Sequence, residues 1–106
     1  MATYKLKFMF DWGSGVCLWS TNQAARTKFN DYPILTSNLP VSDKMKNELE
    51  YLIGLHDEAL NWDDPNGDLL WNENQIDEFL KSAQSAYNRL CKELGSDYEV
   101  ELIEGM

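Results

Sequence analysis

No stretch of this 106-residue sequence approaches the ~20 consecutive apolar residues of a membrane-spanning helix. A secretory signal is also missing, because Met1 to Phe10 interleaves lysines with apolar residues instead of holding an unbroken apolar core. Basic residues are scarce: nine Lys and Arg stand against eighteen acids, a formal charge of −9. That balance argues against nucleic acid and anionic membrane as partners, since both need cations to replace their counterions. It favours a basic protein partner. The sequence holds one histidine, His56, and two cysteines, Cys17 and Cys91. A lone histidine gives no zinc-site spacing, and two distant cysteines define no disulfide framework. A cytoplasmic home with free thiols is the expectation.

What is present is a series of short amphipathic elements. With 43% hydrophobic residues, the chain can build a core without disulfides or metal, as a single domain over residues 1–106. Tyr4 to Phe10 alternates apolar residues with Lys5 and Lys7, the period of a half-buried strand. Asp11-Trp12-Gly13-Ser14-Gly15 reads as a turn, and Val16 to Trp19 as the returning strand of a hairpin. Ser20 with Gln23 has the capping-box form, opening a helix through roughly Phe29. Asn30 to Pro40 reads as a loop over the core. Ser42 is the expected N-cap of a second helix, whose Met45, Leu49, Leu52, Ile53, His56 and Leu60 share one face. The segment from Trp62 to Asp68 breaks it. A third helix starts near Asn72, with Gln75 three residues on and a stripe of Ile76, Phe79, Leu80, Ala83, Tyr87, Leu90 and Leu94. Gly95 is placed to end it in a left-handed cap. Tyr98, Val100 and Leu102 then alternate as a closing strand.

The outward residues of the first strand are Lys5 and Lys7, and those of the last are Glu99 and Glu101. Opposite charges across adjacent strands stabilise by roughly 0.2–1 kcal/mol per pair. The last strand therefore belongs beside the first, in an orientation the pattern leaves open. The expected fold is two-layer α+β with topology ββαααβ. Its sheet has three strands, mostly antiparallel and in the order 2-1-3, with the helices on one face.

The acidity is uneven. Between Asn47 and Leu80 there are ten acids and no Lys or Arg, whereas the rest of the chain is close to neutral. A helix-loop-helix would gather these acids at one end, with Trp62 and Trp71 flanking the loop. Such a run serves either as a solvated face against aggregation or as a docking surface for a basic partner. The docking candidates are Asp57, Glu58, Trp62, Asp63, Asp64, Asp68, Trp71 and Glu73, the acids for charge complementarity and the indoles as anchors.

Other chemistries fit the residues less well. Counted from Asp64, a calcium loop would need glycine at position 6 and glutamate at position 12, where Leu69 and Gln75 stand. His56 with Asp57, Glu58, Asp63 and Asp64 can be drawn as a hydrolytic metal site, but a hydrogen-bonded core histidine is more economical. Cys17 with His56 would need an electropositive setting that this chain lacks. Gly13-Ser14-Gly15 follows a strand without opening a helix, so it is not a phosphate cradle. No catalytic residue, metal site or cofactor is expected.

The stretches Phe8-Met9-Phe10-Asp11-Trp12-Gly13, Cys17-Leu18-Trp19-Ser20 and Leu60-Asn61-Trp62-Asp63 resemble a group of short, acidic, uncharacterised bacterial proteins. In size and charge the chain is also similar to immunity proteins, which neutralise a toxin by binding it. The resemblance implies no catalytic residue. The resulting expectation is a non-enzymatic, acidic protein-binding module, an immunity-type inhibitor of a basic partner such as a toxin nuclease. The alternatives are a small metal-assisted enzyme using His56 and neighbouring carboxylates, or a subunit of a larger assembly.

Overall fold

The computed structural model describes residues 2–103. Its elements are β1 (Tyr4–Phe8), β2 (Leu18–Ser20), α1 (Gln23–Phe29), β3 (Pro33–Ile34), a 3-10 turn (Thr36–Asn38), α2 (Asp43–Glu58), α3 (Glu73–Leu94) and β4 (Tyr98–Leu102). The sheet order is β3-β2-β1-β4. β1 runs antiparallel to β2 and parallel to β4, and the cross-strand partners Lys5↔Glu99 and Lys7↔Glu101 match the charge pattern. Lys5 and Glu99 form an exposed ion pair at 3.7 Å.

Two expectations about the sheet need correction. It has four strands, not three, because Pro33–Ile34 pairs with β2. A two-residue strand is too short to show a period, and its proline needs no ladder donor at a sheet edge. The last strand is parallel to the first, so the sheet is mixed. The long crossover through three helices makes that orientation accessible.

Leu6, Phe8, Leu18, Ile34 and Val100 line one sheet face. They join a single buried cluster with Ala25 of α1, Met45, Leu49, Leu52 and Ile53 of α2, and Phe79, Ala83, Ala86, Leu90 and Leu94 of α3. The stripes of α2 and α3 both turn inward as their periods require. Ser42 caps α2 through its Oγ, which accepts from Met45 N at 3.1 Å. The same residue donates from its amide and hydroxyl to the Glu93 carboxylate at 2.7 and 3.0 Å, tying the start of α2 to the end of α3.

The α3 capping box forms as expected, with Asn72 Oδ1 accepting from Gln75 N and Gln75 Oε1 from Asn72 N, both at 2.9 Å. The α1 box does not form. Ser20 lies in β2 opposite Leu6, so ladder pairing fixes its backbone, and Asn22 takes over as N-cap, accepting from Ala25 N at 2.9 Å. Gly95 has φ +81° but ψ −169°, a positive φ without the left-handed helical ψ that was expected.

Candidate acidic docking site

The site begins where α2 ends. His56 is 1% exposed, and its ring stacks on Trp12 with centroids 4.4 Å apart at 17° and on Phe10 at 5.4 Å. Two indoles close the helix end. Trp12 Nε1 donates to the His56 carbonyl at 2.7 Å, and Trp62 Nε1 donates to the Asp57 carbonyl at 2.9 Å. Both carbonyls lie in the last turn, where Ala59 N reaches the His56 carbonyl at 3.1 Å and Leu60 N the Asp57 carbonyl at 3.4 Å, and each indole adds a second donor. The hairpin turn adds a third contact, as Gly13 N donates to Asp57 Oδ1 at 3.1 Å. The Trp62 ring lies on Gly13, and a Cβ there would meet it at 3.5 Å.

The segment after α2 then closes on itself. Leu70 N donates to the Ala59 carbonyl at 2.8 Å, pinning both ends of a loop. Inside it, Asp64 N donates to the Asn61 carbonyl at 3.1 Å, and Gly67 N to the Asp64 carbonyl at 3.0 Å. The Asp64 carboxylate occupies the space a side chain at position 67 would need, since a Cβ there would stand 2.5 Å from Asp64 Oδ2. Asp63, Asp64 and Asp68 are exposed on this loop, and Glu58 and Glu73 are exposed at its two ends. Asp57 is half-buried.

The two tryptophans flanking the loop divide their roles. Trp62 is 56% exposed, with its orientation set by the Asp57 carbonyl and the Gly13 backbone. Trp71 is half-buried and packs on Phe79 with centroids 5.5 Å apart. The acids differ as well. Glu73 lies in the first turn of α3, where a helix dipole favours a negative charge by about 0.3–1 kcal/mol. Asp57 and Glu58 stand at the opposite kind of end, the last turn of α2, where the dipole disfavours them. Glu48, also among the ten acids of the acidic run, is neutralised across the helix pair by a two-pronged contact with Arg89 of α3.

Burial holds the His56 imidazole below its ordinary pKa, against the opposing pull of Asp57 and Asp11. Its Nε2 is buried without a hydrogen-bond partner among the described residues, so His56 is the packed core ring expected, with that nitrogen lacking the expected hydrogen bond. Burial, reinforced by Glu50, pushes the Cys17 thiol up to about 12, far from a nucleophile's thiolate. Among the described residues no three His, Cys, Asp or Glu side chains converge as metal ligands, and no helix is long and apolar enough to cross a membrane. Cys17 and Cys91 are free thiols.

A family model described as Serratia CdiI immunity protein-like matches residues 4–105. The chain belongs to that family. No curated protein matches it. Membership in the CdiI immunity protein-like family bears out the likeness to toxin-system immunity proteins suggested by size and charge.

Sequence reasoning missed the hairpin turn as part of this family member's acidic end. Trp12 and Gly13 carry two of the contacts that hold α2's last turn, from 44 residues away in sequence. A tryptophan beside a two-glycine turn was the available signal, because so large a ring seldom stays fully in solvent.

Proposed function

We propose that this chain is a non-enzymatic immunity-type inhibitor whose acidic end docks on a basic surface of its toxin, such as the phosphate-binding cleft of a nuclease. Membership in an immunity protein-like family supplies the class of partner. The observation that carries the docking surface is the placement of Asp57 and Glu58. They sit at the helix end that disfavours negative charge, beside an exposed tryptophan held in one orientation. Asp57 also accepts from the Gly13 amide, but Glu58 has no such contact among the described residues, and attraction to a basic partner accounts for its place. Asp57, Glu58, Asp63, Asp64, Asp68 and Glu73 supply the field that speeds encounter. Trp62 is the anchor, and Trp71 supports the loop from its inner side.

The test is the rate of association between the purified chain and the purified product of the reading frame beside its gene, assayed as its toxin. Replacing Asp63, Asp64 and Asp68 together by Asn should slow association about 10-fold or more at low salt, with melting temperature nearly unchanged. The difference should shrink as salt screens the charges. Equal association rates at low salt would sink the proposal.

A further inference from the structure

Gly54 sits exposed in the middle of α2, on the side away from the core. The fold gives no reason for it. A Cβ there would meet nothing within 4 Å, and its φ lies outside the left-handed region, so alanine would fit and would favour the helix. A missing side chain on an exposed helix leaves a gap through which another molecule can approach the backbone.

The neighbours of position 54 on the helix surface are Glu50 and Tyr51 on the turn before, and Asp57 and Glu58 on the turn after. Three carboxylates and one phenol ring therefore border the gap. Tyr51 is 65% exposed, with no fold role for its ring. Among the described residues none of these three acids forms an ion pair with Lys or Arg, and Asp57 spends one carboxylate oxygen on the Gly13 amide. Lys46, one turn before Glu50, is turned instead to the Ser37 carbonyl at 3.2 Å. Met45, Leu49, Leu52, Ile53 and His56 occupy the opposite, buried side of α2.

The geometry points to a receptor hole for one basic side chain of the partner, an Arg or Lys of the toxin laid across Gly54. Its aliphatic stem lies on the bare backbone and against the Tyr51 ring, and its cation reaches Glu50, Asp57 and Glu58. This rests on the immunity reading above and adds a contact point on the flank of α2, outside the loop. The glycine is evidence independent of the charges, since an acidic face kept only for solubility needs no gap.

The test fills the hole. Gly54→Gln introduces a helix-favouring side chain and should raise Tm by about 4 °C. It should also raise the Kd for an inactivated toxin domain, purified from the reading frame beside this chain's gene if that frame encodes one or otherwise captured from the host with the wild-type chain, about 10- to 100-fold by calorimetry. Tyr51→Ala should weaken the same binding about 10-fold, while Ser82→Gln on the exposed side of α3 leaves it unchanged. If the wild-type chain binds the toxin domain and Gly54→Gln binds it equally well, the hole is overturned and the immunity reading stands. A lower Tm for Gly54→Gln overturns it too, because the glycine is then a requirement of the fold. If the wild-type chain does not bind the toxin domain, both readings fall together.

Discussion

Replacing Trp12 by phenylalanine removes the 2.7 Å hydrogen bond to the His56 carbonyl while keeping an aromatic ring beside the imidazole. A net hydrogen bond is worth about 0.5–1.5 kcal/mol, and the His56 carbonyl keeps its second donor, Ala59 N at 3.1 Å. The expected loss is about 1 kcal/mol, which for a chain of this size lowers Tm by about 4–8 °C. Trp62→Phe removes a bond of similar length, 2.9 Å, from an exposed site where water can replace the lost donor. Its expected loss is below about 0.5 kcal/mol. Urea unfolding followed by circular dichroism measures both, with an unchanged m-value showing that only stability has moved. Equal losses for the two variants, or a loss below about 0.5 kcal/mol for Trp12→Phe, would refute the assignment of the half-buried Trp12 indole as the clamp on α2. The pair also separates fold from function, since Trp62→Phe should leave stability alone yet weaken toxin binding.

Burial holds the His56 pKa below its ordinary value, so in that range the unfolded chain binds more protons than the folded one. Stability should be full above about pH 6.5 and fall as pH drops below it, and His56→Phe should flatten the profile between about pH 5 and 7 in thermal melts. Leu49 is fully buried between α2 and the rest of the core. Leu49→Ala should cost about 2.7–5 kcal/mol by urea unfolding, and a cost below about 1 kcal/mol would contradict the packing described for α2.

Short-range physics was legible throughout. The stripes of α2 and α3 select their buried faces by period alone, and the caps at Ser42 and Asn72 follow from side chains that satisfy free helix amides. Cross-strand charge was readable as well, placing β4 beside β1, while the parallel register that sets Lys5 opposite Glu99 came from the fold. The misses share one cause. Ser20 carries a cap pattern, yet its pairing with Leu6 fixes its backbone as strand, and no local rule reports that competition. Pro33–Ile34 becomes a strand only because β2 presents a free edge to it.

The concentration of acid between Asn47 and Leu80 is a property of the sequence alone, and no fold could disperse it far. Which of those acids are paired within the fold was decided by tertiary contacts. Arg89 reaches over from α3 to neutralise Glu48, while the hairpin turn clamps the end of α2 beside Asp57 and Trp62. Those pairings join residues about 40 apart in the chain. Side-chain periodicity reports only neighbours within a turn or a strand, so contacts of that span exist only once the core has packed.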